Sequence, residues 1–128
     1  MEITEKERLM LVEKKDEIRK ISLEMYDIVE DETMELKEKK NRIKKDMISI
    51  ISILDIIGSY AKVKDDNLQR FQRMSLYIFY IMDGLEYISK PAIEIFCNAV
   101  NGITFDFSKR SIKIIFPKID ISFLKLER

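Results

Sequence analysis

Two aspartates break otherwise apolar runs: Asp55 follows MISIISIL and Asp83 follows LYIFYIM. A carboxylate set among hydrocarbon groups can acquire a raised pKa and work as a general acid or base. The partners such chemistry needs are missing. The chain has no histidine and one cysteine, Cys97. This excludes an imidazole base, a Ser-His-Asp or Cys-His nucleophile and a histidine-ligated metal. A thiolate zinc or iron–sulfur site within one chain is excluded as well, so only carboxylate sites for hard divalent cations stay open. Asp55 falls on a polar line with Lys45, Ser49, Ser52, Ser59 and Lys62, which reads as a solvated edge. Asp83 adjoins Gly84 and borders a small cleft with Tyr80 and Glu86. No second catalytic partner stands at a defined spacing, so no catalytic residue, metal ligand or cofactor is assigned. Cys97, inside IEIFCNAV, reads as a small buried hydrophobe. Gly58, Gly84 and Gly102 are isolated, so there is no phosphate-cradling loop.

Recognition chemistry is better represented. Arg70, Arg73, Tyr77, Tyr80, Gly84 and Tyr87 recur at helical spacing. Tyrosine and arginine are enriched at protein interfaces, and their planes also stack on nucleobases. The plain alternative is that the rings roof the core with their hydroxyls in water. Lys37 to Lys45 is a basic run, preceded by acidic residues between Asp27 and Glu35. On a helix these charges spread around the cylinder, which suits a solvated face. Two copies crossing antiparallel near Leu36 would also set the acidic block of one against the basic block of the other. Lys109 and Arg110 fall at the tip of a hairpin that follows a short helix. This order, over residues 66–116, resembles a winged helix-turn-helix, which implies nucleic-acid contact through Lys109 and Arg110. The helix that would read bases, PAIEIFCNAVN, opposes that use, because it has no lysine or arginine and carries Glu94.

These residues must be positioned by long helices. Hydrophobic residues make up 46% of the 128-residue chain and charged residues 36%, with only three glycines and two prolines. That favours one domain of helices on short connections. Lysine plus arginine and aspartate plus glutamate number 23 each, so no net field draws the chain to nucleic acid or an anionic membrane. The lone cysteine and the lack of a signal-like segment point to a reducing, cytoplasmic setting. The apolar runs 47–57 and 74–82 are too short to span a bilayer.

Thr4 and Glu7 have the form of a capping box and open a first helix. Its seam is Leu11, Ile18, Ile21, Met25 and Ile28, coiled-coil-like in spacing, with Leu9, Val12 and Val29 widening it. A turn near Asp31–Thr33 precedes a second helix, although one helix running straight through residues 4–62 also fits. The second helix carries MISIISILDIIGSYA, whose thin polar line predicts burial on most sides. A third helix spans Asn67 to about Ser89 and a short fourth spans Ala92 to Val100, closed by a left-handed Gly102. From Ile103 the apolar period becomes two, over Ile103–Phe107, Ile112–Phe116 and Ile119–Phe123.

The expected fold is therefore α+β in a single domain, residues 1–128. Amphipathic helices form a bundle over 1–102, and an antiparallel β-meander of two to three strands follows over 103–128. The functional expectation is a non-enzymatic, self-associating module for protein–protein interaction. Leu11, Ile18, Ile21, Met25, Ile28 and Leu36 are expected to pair two copies. Arg70, Arg73, Tyr77, Tyr80 and Tyr87 are expected to face another protein. A nucleic-acid-binding regulator and a small-molecule binder with a pocket near Tyr80 and Asp83 are the alternatives.

Overall fold

A computed structural model describes residues 4–61, 66–84, 86–107 and 113–118. The elements are α1 (Glu5–Glu30), α2 (Leu36–Ala61), α3 (Asp66–Gly84), α4 (Lys90–Asn101), β1 (Thr104–Asp106) and β2 (Lys113–Ile115). The chain is α+β, helices first and a small antiparallel hairpin last.

Local chemistry accounts for the boundaries. The Thr4 hydroxyl accepts from the Glu7 N–H at 3.1 Å and the Glu7 carboxylate accepts from the Thr4 N–H, so the capping box is complete. α1 and α2 are separate helices. Between them Asp31 Oδ1 accepts from the Thr33 N–H at 2.8 Å and from the Thr33 hydroxyl at 2.6 Å, an Asx turn that needs no glycine. These donors hold the Asp31 carboxyl below its ordinary range. Lys39 closes the joint by donating to the Val29 carbonyl at 3.1 Å, one of the acceptors left over at the end of α1.

α3 ends earlier than its apolar pattern, at Gly84 rather than Ser89. Glycine is a poor helix former, and Ser89 is taken up as the N-cap of α4, where its hydroxyl accepts from the Ala92 N–H. Gly102 closes α4 with φ at −79°, in the right-handed region, so the expected left-handed conformation is corrected. Glycine is needed there for space. A Cβ would stand 2.9 Å from Pro117 Cγ and 3.0 Å from the Asn98 carbonyl.

The core runs along the inner faces of the four helices. Leu11, Ile18 and Met25 of α1 meet Met47, Ile50 and Leu54 of α2, Ile78 of α3 and Ile93, Phe96 and Val100 of α4, all fully or almost fully buried. A polar tie crosses it: Asn101 donates to Ser22 Oγ at 2.9 Å, and Ser22 donates to the Ile18 carbonyl at 2.8 Å. The hairpin pairs Thr104 with Ile115, Phe105 with Ile114 and Asp106 with Lys113. Ile103 and Ile114 turn inward, and Phe116 lies 5.2 Å from the Phe71 ring of α3. Arg8 of α1 anchors the other end, donating to the Phe107 carbonyl at 3.3 Å with its guanidinium 5.3 Å from the ring centre. The expected third strand, Ile119–Phe123, and the hairpin tip with Lys109 and Arg110 lie outside the described residues.

Two expectations about exposure are corrected. The α1 seam is not left for a second copy: Leu11, Ile18, Met25 and Ile28 are buried against the chain's own helices, and Ile21 is half-buried. Of the six residues assigned to self-association, only Leu36 stands exposed, at 46%. The segment 47–61 does bury most of its circumference, with Ser52, Asp55 and Ser59 outward as expected, but that outer edge is wider than a thin polar line, since Ile48 is 49% and Ile56 38% exposed. A helix flanked by α1 and α3 still keeps an outer face. Among the described residues no helix is long and apolar enough to cross a membrane.

Candidate functional site

The outer face of α3 carries Arg73 and Tyr80 of the tyrosine–arginine stripe. With Phe71, Ser75, Ile78 and Met82 turned into the core, helical geometry sends the opposite line outward. That line is Arg73, Leu76, Tyr80 and Asp83, all exposed. Tyr80 is the most open at 67%, and Leu76 is 39% exposed. Tyr87, beyond the helix end, is exposed as well. Tyr77 sits half-buried on the flank, and the Arg70 side chain lies outside the described residues.

α2 widens this face. Lys44 Nζ donates to Asp83 Oδ1 at 3.2 Å near one end of the helix pair, and Gln72 donates to Asp55 Oδ1 near the other. Contacts in that order make α2 and α3 antiparallel and bring Ile48 and Ile51 alongside Leu76 and Phe79. Phe79 is gripped from both sides: Lys44 Nζ stands 5.6 Å from its ring centre, and Tyr80 meets it edge-on at 5.6 Å. The result is an apolar strip of Ile48, Ile51, Leu76 and Tyr80 between Arg73 at one end and the Lys44–Asp83 pair at the other.

Beside that pair the surface dips into a shallow hollow continuous with solvent. Ile43, Met47, Phe79, Met82 and Ile88 form its floor, and Lys40, Lys44, Asp83 and Tyr87 its rim. Of the residues expected to border a cleft there, Asp83 lines this hollow, whereas Tyr80 and Glu86 do not; Tyr87 stands on its rim instead. Methionines suit such a floor because they repack around different shapes. Asp55 lies on the surface and is engaged by Gln72.

Other titratable groups serve the interior. Cys97 is buried, and burial pushes its thiol up to about 11, so it stays protonated near neutrality. Asp46 of α2 is the unusual acid. Burial first, and then the neighbouring Glu24 carboxyl of α1, raise its pKa to about 7, while Arg42 and Lys45 pull it down. Its Oδ2 is buried without a hydrogen-bond partner among the described residues. Sequence reading passed over Asp46 because an acid in a charged run looks solvated. It also passed over Leu76 and Ile48, although Leu76 stands midway between Arg73 and Tyr80 at heptad spacing. Among the described residues no three acids or thiols cluster closely enough to hold a metal ion.

α4 carries one exposed cation, Lys90 at its start, and Lys90 donates to the Glu30 carboxylate of α1 at 2.7 Å. Ala92, Ile93, Phe96, Cys97, Ala99 and Val100 are buried, and its exposed side includes Glu94 and Asn98. Comparison with known families, curated proteins and solved structures found no match for the chain.

Proposed function

We propose that this chain is a non-enzymatic protein–protein interaction module whose docking surface is the outer face of α3 with the adjoining edge of α2. The observation that carries this reading is the exposed strip of Ile48, Leu76 and Tyr80, framed by Arg73 and by Lys44 with Asp83. Single exposed apolar residues need no explanation, but neighbouring ones on two helices with a charged rim have the make-up of an interface. The aromatic and arginine content is that of an interface centre. Docking needs no assembled catalytic group, which agrees with a chain that lacks histidine.

A photoreactive amino acid placed at Tyr80 tests this reading. In a cellular extract the full chain is expected to form discrete covalent adducts, with a foreign protein or with its own copy. Leu76→Asp should abolish them without loss of helicity. Adducts that ignore Leu76→Asp, or no adducts at all, would contradict the proposal. The hollow favours a second reading, a small apolar ligand beside Asp83, which predicts ligand-dependent thermal stabilisation that Met82→Asp removes.

A further inference from the structure

We infer that the partner of the α3 face is a second copy of this chain, bound about a two-fold axis that crosses α3 near Ile78. This rests on the docking reading above and adds the identity of the occupant. The four outward residues of α3 are a cation, two apolar groups and an anion: Arg73, Leu76, Tyr80 and Asp83. Their spacing of three, four and three reads the same in both directions. Two α3 helices laid antiparallel therefore set Leu76 against the partner's Tyr80 twice and Arg73 against the partner's Asp83 twice. A two-fold interface requires a patch that is complementary to itself, and the order of charged and apolar groups on this face meets that condition.

The charges are available for it. Arg73 has no ion-pair partner among the described residues. Asp83 accepts Lys44 on Oδ1 at 3.2 Å with about half its side-chain surface still exposed, and a carboxylate accepts several donors. A parallel arrangement would place Arg73 on Arg73 and Asp83 on Asp83, so the charges also select direction. Gly84, with open space where a Cβ would stand, keeps the surface beside Tyr80 low enough for a second helix to approach. One helix pair with the Ile48 edge covers roughly the low end of specific interfaces, about 1,000–1,200 Å². Association is therefore reversible, with a dissociation constant on the order of 10–100 µM.

Sedimentation of the full chain from about 10 µM to about 1 mM tests this, since the range brackets the expected constant. Wild type should move from monomer to dimer. Arg73→Glu opposes two carboxylates across each contact and Asp83→Lys opposes two cations, so each variant alone should dimerise at least about tenfold more weakly. Mixed in equal amounts they should form a one-to-one heterodimer at least about tenfold tighter than either variant with itself, because both contacts between the chains then pair opposite charges. Circular dichroism should show unchanged helicity, as both side chains are exposed. A wild-type monomer at 1 mM, single variants that dimerise like wild type, or a mixture that fails to recover would each overturn the inference. A monomer whose Tyr80 still gives Leu76-dependent adducts with foreign proteins would overturn the second copy and leave the docking reading standing. Loss of both dimer and adducts would remove the two together.

Discussion

Asp46 gives the fold a pH response of its own. Its carboxyl is raised to about 7 by burial and by Glu24, so the folded chain holds that proton more tightly than the unfolded chain. The stabilisation is whole below the ordinary aspartate range and is lost as pH rises through about 7. Asp31, Glu30 and Asp16, held low by Thr33, by Lys90 and by Arg19 with Lys20, act in the opposite sense and lose their contribution in acid. Asp46→Asn removes the ionisation while keeping the shape. Its gain in stability, followed by thermal unfolding, should grow between pH 5 and pH 8 and reach on the order of 1 kcal/mol, since the site is partly hydrated. A variant that tracks wild type at every pH would show that the carboxyl is ordinary. Gly102 is a second residue-scale test. Gly102→Ala presses a methyl against Pro117 and the Asn98 carbonyl, and overpacking of this kind costs roughly 1–3 kcal/mol in urea unfolding. A neutral substitution would mean that the approach of Pro117 to α4 is looser than described. Neither role was legible in the sequence. Asp46 sits in a charged run, and the reason for a glycine after a helix depends on what packs over it.

The helices themselves were largely readable, because caps and turns are local. Thr4 with Glu7, Asp31 with Thr33, and Ser89 before Pro91 each announce a boundary through hydrogen bonds made within a few residues. Thr4→Ala should therefore lower stability by about 1 kcal/mol and fray the first turn of α1, seen as faster amide exchange at Glu5–Arg8. Unaltered exchange there would argue against the capping box. What periodicity leaves open is the neighbour of each face. The α1 seam has a spacing that suits a coiled coil between chains as well as a hairpin with α2. The turn at Asp31 decides for the hairpin by returning α2 along it. The outward line of α3 was read with Arg70 and Tyr77 in place of Leu76 and Asp83, a small rotation that hid the apolar centre. Burial now separates the seams experimentally. Ile18→Ala should cost about 2–5 kcal/mol because the side chain is fully enclosed, whereas Leu76→Ala should fall within roughly 0.5 kcal/mol of wild type. Equal costs at the two sites would mean that both faces are covered within one chain.

At the scale of the whole molecule, the four helices among the described residues share one core and a short hairpin covers part of it. The chain satisfies its α1 seam from within, so association need not build the fold. That leaves the α3 face free to bind and release without unfolding. The division between an inner seam and an outer one is the central claim, and side-chain footprinting by hydroxyl radicals tests it most directly. In dilute solution Leu76, Tyr80 and Tyr87 should label readily while Met25, Met47 and Phe96 stay protected. As concentration rises, protection should appear at Leu76 and Tyr80 and leave Leu9, Val12 and Leu23 on α1 unchanged. Labelling of Met25 in the dilute chain, or concentration-dependent protection confined to α1, would contradict it.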